Sequence, residues 1–184
     1  MTDWIVLLRG INVGGNKKVA MADLRSTLES LGHKNVRTVL QSGNVVLRSD
    51  EASGSELEAS LKKSLATRLA IECEVFARTA EEWGEVIKSN PFEREAEADP
   101  SHTLVVLLKE RPSEDALGLV TSSYEGPEQF DRGSRHLYVV YPEGIGESKL
   151  TTNPAWKKLA GAGTGRNWNT VLKLRDLVRG PDSK

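Results

Sequence analysis

The sequence predicts an α+β fold, with a ferredoxin-like βαββαβ N-terminal unit followed by a second, related α+β unit that ends in basic helices. Two observations support this prediction. Short apolar or β-branched runs alternate with stretches in which apolar residues recur every three or four positions. Turn signals rich in glycine and asparagine separate these stretches. We predict two domains, residues 1–78 and residues 79–184.

The first strand and the first helix have distinct local signatures. Residues 4–8 are almost wholly apolar, which is typical of a strand buried on both faces. The helix that follows ends at Gly32 and has apolar residues at spacings of three and four, namely Met21, Leu24, Leu28 and Leu31. An open ferredoxin-like sheet carries helices on one face only, so we expect the second unit or another copy of the chain, as in a homodimer, to cover the other face.

A hairpin, a second helix and a last strand complete the N-terminal unit. Two β-branched runs, 36–41 and 45–48, flank a Ser-Gly-Asn turn and predict a hairpin. Ser55 and Glu58 have the spacing of a capping box, and a leucine at every fourth position continues the helix as Leu57, Leu61, Leu65 and Leu69. Residues 72–76 predict the last strand.

The second unit echoes the first. Thr79 and Glu82 form another capping box, opening a helix that ends before Asn90-Pro91. A helix is predicted at 113–122, and strands are predicted at 103–109, 129–131 and 136–141. From Ser148 onward we predict two helical pieces separated by a glycine-rich break at 161–163.

Charge is distributed unevenly along the chain. Lys and Arg number 25 against 26 Asp and Glu, a formal net charge of −1, which argues against a strongly basic nucleic-acid binder. Seven acids and two bases lie within 81–99, and residues 93–101, acidic with a proline, predict a linker. Eight bases and two acids lie within 149–184. This basic segment is compatible with solvated helix faces or with a local site for an anion.

Composition narrows the class of protein. The chain has no apolar run of about 20 residues and no signal-peptide pattern at its start, so we expect no membrane association and a cytoplasmic location. The single cysteine, Cys73, fits a reducing cytosol and excludes an intrachain disulfide. The three histidines, His33, His102 and His136, are scattered and predicted to lie at the surface. The sequence therefore predicts no metal ion and no cofactor.

A glycine-rich segment connects the first strand to the first helix, reading Arg-Gly-Ile-Asn-Val-Gly-Gly-Asn-Lys-Lys from Arg9 to Lys18. Glycines at such a junction let backbone N–H groups approach an anion, and the helix N-terminus adds the positive end of its dipole. The segment is not a Walker A loop, because Asn16 stands where the lysine belongs and no Ser or Thr follows Lys17. The alternative is a connection whose glycines only satisfy positive φ angles.

Two further segments are rich in amide side chains. The turn Gln41-Ser42-Gly43-Asn44 is either a tight hairpin turn or a source of hydrogen-bonding groups for a ligand. The segment from Thr164 to Thr170 combines an arginine, a tryptophan and two asparagines at the predicted start of the last helix. Arginine binds carboxylates and phosphates bidentately, and tryptophan stacks on rings. The alternative is a capped helix whose tryptophan belongs to the core.

These motifs together resemble the bacterial family catalogued as domain of unknown function 1697, through LLRGINVGG, QSGNVV, NPF, GIGESKL and RNWNTV in that order. The resemblance implies the two-unit α+β fold and implies no activity. The family's motif residues match these positions of the chain: Arg9, Gly10, Asn12, Gly14, Gly15, Gln41, Ser42, Gly43, Asn44, Ser148, Lys149, Arg166, Asn167, Trp168, Asn169 and Thr170. Ala20 and Gly165 depart from the family pattern and put the conformations of their loops in question.

The function hypothesis is a small, phosphate-bearing anionic ligand bound between the glycine-rich and Arg-Asn-Trp-Asn loops. Positive charge would come from Arg9, Lys17, Lys149 and Arg166, and backbone donors from Gly14 and Gly15. Amide, hydroxyl and aromatic groups would orient the ligand, from Asn12, Gln41, Ser42, Asn44, Asn167, Trp168 and Asn169. Two alternatives remain: a nucleic-acid-binding module that uses the basic C-terminal helix, and purely structural motifs. No acid, base or nucleophile stands out, so the sequence leaves enzymatic activity open.

Overall fold

A computed structural model describes residues 1–14 and 18–180 and divides them into two compact units. The first unit comprises Met1–Glu85 together with the C-terminal segment from Lys173, and the second comprises Val86–Leu172. The two domains expected from the sequence, residues 1–78 and 79–184, stay a prediction.

The first unit is a four-stranded antiparallel sheet with two helices. Its elements in chain order are β1 (Thr2–Leu8), α1 (Met21–Ser30), β2 (Lys34–Val39), β3 (Asn44–Ser49), α2 (Gly54–Leu69) and β4 (Val75–Thr79). The strands lie in the order β2-β3-β1-β4, and β1 pairs with β3 from Thr2 opposite Ser49 to Leu7 opposite Asn44. The α+β class is therefore confirmed, and β1 lies at the centre of the sheet.

Alternation along β1 sends its side chains into two apolar environments. Trp4, Val6 and Leu8 belong to one buried cluster with the leucine stripes of α1 and α2. Ile5 and Leu7, which point to the opposite face, are also fully buried. The prediction that β1 is buried on both faces is confirmed.

The second unit repeats this arrangement. Its repeated elements in chain order are β5 (Thr103–Leu107), α5 (Glu114–Ser123), β6 (Gln129–Arg132), β7 (His136–Val140), α6 (Pro154–Ala160) and β8 (Thr164–Asn167). Three further helices are α3 (Ala80–Lys88), α4 (Glu93–Ala98) and α7 (Trp168–Arg179), of which α3 and α7 each contain a boundary between the two units. A 3₁₀ turn at Leu150–Thr152 stands before α6. The sheet order β6-β7-β5-β8 is the order of the first sheet with each strand replaced by its counterpart. Across the described ranges the fold thus has two four-stranded antiparallel sheets and seven α-helices.

One of the two predicted capping boxes is confirmed and the other is wrong. At α3, Glu82 N donates to Thr79 Oγ1 at 3.0 Å and Thr79 N donates to Glu82 Oε2 at 2.8 Å. At α2 the N-cap is Ser53, whose hydroxyl accepts from Glu56 N at 3.2 Å. Glu58 is unavailable for capping because its carboxylate accepts the backbone N–H of Ala77 in β4 at 2.7 Å.

Three predictions of local structure are wrong. Residues 93–101 are not simply a linker, since they contain α4, whose Ala96 is buried and whose first turn carries glutamates that favour a helix N-terminus. Residues 164–167, predicted as helix, form β8 because they pair with the edge of β5, with Val105 opposite Arg166. The predicted strand at 72–76 is displaced to Val75–Thr79.

The histidines also depart from expectation. His33 and His136 are buried, whereas only His102 keeps a partly exposed side chain and contacts Asp99 through Nδ1 at 2.8 Å. His33 directly precedes β2, and His136 is the first residue of β7.

Candidate functional site

The glycine-rich loop is fastened by the amide of Asn12. Its Nδ2 donates to Val19 O at 3.0 Å and to Gln41 O at 2.7 Å, and its Oδ1 accepts from Val19 N at 2.8 Å. Asn12 itself has a φ of +54°, which asparagine tolerates better than most residues. The loop and the hairpin turn, two segments that the sequence singled out separately, therefore meet at one end of the first sheet.

The hairpin turn is held by buried polar contacts. Asn44 is fully buried, and its Nδ2 donates to Val39 O at 3.0 Å and to Ser42 Oγ at 2.9 Å. Leu8 N donates to Gly43 O at 2.8 Å, which joins the turn to the end of β1. The side chain of Gln41 is exposed. Most of the amide chemistry of this turn is thus committed to the fold.

The remaining predicted residues of the loop are placed as follows. Gly14 is exposed and has a φ of +62°. Gly15 and Lys17 lie outside the described residues. Arg9 follows β1 directly, is exposed, and its backbone N donates to Glu74 O at 2.9 Å.

Arg9 and Gly10 line a cleft of about 560 Å³ at the end of β1, together with Lys62 and Lys63 of α2. Glu72 and Glu74 also line this cleft. The Lys62 ammonium donates to the Glu74 carboxylate, and this hydrogen bond raises the pKa of Lys62. Three cationic and two anionic side chains therefore surround the cleft, whose net charge is positive.

Sequence reasoning missed Lys62 and Lys63. They lie on the polar side of the helix whose leucines form the core, where lysines are usually solvated surface residues. Only the packing of α2 against the end of β1 brings them to the same cleft as Arg9. The one signal in the sequence was the adjacency of two lysines on that helix.

In the second unit, Arg166 lies on β8 and is half-buried. Its Nη1 donates to Thr164 Oγ1 at 2.9 Å and to Gly165 O at 2.8 Å. Burial lowers the pKa of the guanidinium to about 10, so Arg166 stays protonated at neutral pH. The guanidinium is therefore a charged group oriented by its own strand.

The neighbours of Arg166 are mainly structural. Asn167 Oδ1 accepts from Thr170 N and from Thr170 Oγ1, both at 3.0 Å, which is the hydrogen-bond pattern of an N-cap for α7. Trp168 is buried, whereas Asn169 and Lys149 are exposed. The segment thus combines a cap, a core tryptophan and two solvent-facing polar groups.

Ser148, of the GIGESKL motif, belongs to a hydrogen-bonded cluster. Its hydroxyl and that of Tyr124 both donate to the Glu128 carboxylate, and Leu150 N donates to Ser148 Oγ at 3.1 Å. Burial alone would raise the pKa of Glu128, but the hydrogen bonds from Ser148 and Tyr124 lower it. The cluster anchors the start of the 3₁₀ turn.

The described residues contain neither a cluster of metal-binding side chains nor a helix that could span a membrane. Within 1–14 and 18–180, no group of three or more His, Cys, Asp or Glu side chains is arranged to hold a metal ion. No helix in the same ranges combines the length and the apolar character needed to cross a bilayer.

Comparison with known proteins assigns the family. A family model described as "Protein of unknown function (DUF1697)" matches residues 1–138, which is most of the chain. The chain belongs to this family. The match includes the glycine-rich loop and the hairpin turn and ends before Lys149 and Arg166.

A solved structure supports the fold over the whole chain. The chain is similar to "conserved bacterial protein SP0830 from Streptococcus pneumoniae", with a TM-score of 0.75 and 23% identity over 96% of this chain and 98% of that chain. This likeness shows the shared fold. No curated protein matches the chain.

Proposed function

We propose that this member of the DUF1697 family binds a small anionic, phosphate-bearing ligand in the cleft lined by Arg9, Gly10 and Lys63. The observation that carries the proposal is the convergence of Arg9, from the end of β1, with Lys62 and Lys63 of α2 around one cavity of about 560 Å³. That volume lies in the range of about 300–1,000 Å³ typical of small-molecule sites.

The charges of the cleft favour an anion over a cation. Of the two cleft lysines, Lys62 donates to Glu74, so Lys63 is better placed than Lys62 to meet a ligand, and Arg9 lines the same cleft. Arginine binds phosphate oxygens bidentately, and lysine adds a point charge. Asn12, Ser42 and Asn44 act in this proposal as positioning residues, because their hydrogen bonds hold the loop and the turn next to the cleft.

The test is a thermal-shift screen of phosphorylated metabolites and pyrophosphate against the full chain. We expect at least one compound to raise the Tm of the wild type. Arg9→Ala and Lys63→Ala should abolish or sharply reduce that rise while leaving the Tm without ligand nearly unchanged, because both side chains are exposed.

Arg25→Ala is the matched control for the loss of an exposed arginine. Arg25 lies on α1 and is not among the residues that line the cleft. A wild type that responds to no compound, or a response that survives both cleft variants, contradicts the proposal.

A second candidate is that the family-like motifs are purely structural. The observation in its favour is that the amides of Asn12, Asn44 and Asn167 all bond within the protein. Substitution of these residues would then lower stability and change no ligand response.

We separately propose that Lys149 and Arg166 contact an anion in the second unit. Its support is the fixed, protonated guanidinium of Arg166 and the exposure of Lys149. The double variant Lys149→Ala Arg166→Lys keeps one charge on β8 and should weaken any sulfate-dependent rise in Tm. An unaltered rise would rule this contact out.

We also infer that both units are ferredoxin-like and that the protein is cytoplasmic. The antiparallel order β2-β3-β1-β4 and its repeat in the second sheet support the first inference. The presence of a single cysteine, the buried and free Cys73, is compatible with a reducing cytosol and supports the second inference.

A further inference from the structure

We propose that the second unit binds an amphipathic carboxylate, with an apolar chain or ring and one negative charge, in the cleft between α5, α6 and the loop from β5 to α5. This cleft has a volume of about 580 Å³. It is distinct from the Arg9 cleft, and the inference does not rest on the anion proposed there.

This cleft lies at a place in the second unit that corresponds to the place of the Arg9 cleft in the first. In the first unit a cleft lies where β1 ends and its chain passes α2, the second helix of that unit. In the second unit a cleft lies where β5 ends and its chain passes α6, the corresponding helix. Both units therefore have a cleft at corresponding positions of the topology, and the two clefts are lined by different residues.

The lining of the second cleft is mainly aliphatic. Leu108, Leu119 and Leu159 contribute its largest apolar side chains, and alanines from α5 and α6 leave room between them. Leu119 lines the cleft and is 59% exposed to solvent. A concave apolar surface next to an exposed leucine is suited to an apolar ligand group, because burial of both surfaces releases water.

The rim supplies the charge preference. Three cationic side chains line the cleft, namely Lys109, Arg111 and Lys158. Two carboxylates, those of Glu110 and Asp115, line it as well. Among the described residues no ion pair involves Arg111 or Lys158, and both are exposed. The rim thus has a net positive charge next to an apolar interior, which matches a ligand whose apolar body ends in a carboxylate.

Three probes of matched chemistry test the inference on the full chain by isothermal titration calorimetry. Decanoate, used below its micelle-forming concentration, has the chain and the charge. Decyltrimethylammonium has the same chain with the opposite charge, and acetate has the charge without the chain. We expect saturable binding of decanoate alone.

Neighbouring lysines of α6 provide the matched variants. Lys158 lines the cleft, whereas Lys157 does not, and both are exposed. Lys158→Glu should weaken decanoate binding by about tenfold or more, because it places a negative charge beside the carboxylate, and Lys157→Glu should leave it within about twofold of the wild type. Leu119→Asp, at an exposed position, should also weaken decanoate binding and replaces Lys158→Glu as the test if that variant does not fold.

Several results would overturn the inference. They are no decanoate binding to the wild type, equal binding of decyltrimethylammonium, or equal weakening by Lys157→Glu and Lys158→Glu. Arg9→Ala should not alter decanoate binding. A negative result for decanoate therefore leaves the proposed anion site beside Arg9 untouched, and the reverse also holds.

Discussion

Gly43 is the residue at which the hairpin turn depends most on the absence of a side chain. Its φ is +75°, and a Cβ there would lie 2.7 Å from Leu8 Cβ and 2.8 Å from Ile11 Cδ1. Backbone conformation and close packing therefore both select glycine. The turn can approach β1 only because nothing projects from this position.

Gly43→Ala should lower the free energy of unfolding by about 2–5 kcal/mol, the sum of left-handed strain and overpacking. Gly32→Ala is the matched control, because Gly32 also has a positive φ, +94°, but has open space around it. Urea denaturation should show a cost of only about 1–2 kcal/mol for this control. Equal costs for the two variants would mean that the contact with Leu8 is unimportant.

His33 predicts a pH dependence of stability. It is buried, and burial lowers its pKa below 6.5 against the opposing charge of Glu51. Below pH 6.5 the unfolded chain therefore takes up a proton that the folded chain resists, so the free energy of unfolding falls as the pH decreases. Above this range the histidine is neutral in both states and the effect vanishes.

The measurement is urea denaturation of the wild type and of His33→Gln across the slightly acidic range. Glutamine does not titrate, so the variant should lose stability less steeply as the pH falls. An identical slope in the two proteins would show that His33 does not contribute to the acid sensitivity.

At the scale of elements, the start of α7 separates a structural asparagine from a solvent-facing one. Asn167 caps the helix through Thr170, whereas Asn169 is exposed. Asn167→Ala should cost about 0.5–2 kcal/mol, as the loss of an N-cap does. Asn169→Ala should stay within about 0.5 kcal/mol of the wild type in the same thermal or urea unfolding experiment. Equal effects would contradict the assigned cap.

Elements defined by local chemistry were predictable from the sequence. The capping box of Thr79 and Glu82 needs only residues three apart, and the leucine stripe of α2 needs only helical spacing. β8 was not predictable in this way. Its four residues, Thr164–Asn167, form a strand because β5 offers an unpaired edge far away in the sequence.

Gly163 makes that pairing possible. A Cβ at this position would lie 2.6 Å from Leu107 O, so the backbone reaches β5 only with glycine. The sequence interpretation treated this glycine as a break between helices. Its actual constraint, a close approach to another strand, depends on tertiary structure.

The candidate site was predictable from the sequence only where its residues have a local signature. Arg9 and the segments around Asn12 and Asn44 were marked by glycines and amides that break local rules. The structure brings those segments together but commits most of their amides to internal hydrogen bonds. Lys62 and Lys63 became candidates only when α2 was placed beside β1.

At the scale of the whole molecule, the repeated sheet order explains why two clefts occupy corresponding places. β1 and β5 are both interior strands, and the loops that follow them turn beside α2 and α6, respectively. Charged side chains make up most of the lining of the first cleft, whereas the second combines charged side chains with a larger share of aliphatic ones. The two clefts therefore favour different ligand chemistry.

Overall charge bears on the nucleic-acid alternative. The net charge is −1, and in α7 the bases Lys173, Arg175 and Arg179 are accompanied by Asp176, which pairs with Arg175 at 2.8 Å. We therefore expect no electrophoretic retardation of duplex DNA or of single-stranded RNA at low ionic strength. Retardation that falls steeply with salt, with a logarithmic slope of about 0.9 for each phosphate contacted on duplex DNA, would favour the nucleic-acid module instead.

Amide NMR of the ¹⁵N-labelled chain during titration with pyrophosphate locates any anion site beside Arg9. We expect saturable shifts for Gly10, for Lys63 and for residues around Glu74, with no such shifts in Arg9→Ala. Absence of these shifts in the wild type, or saturable shifts confined to other parts of the chain, would show that pyrophosphate does not bind beside Arg9.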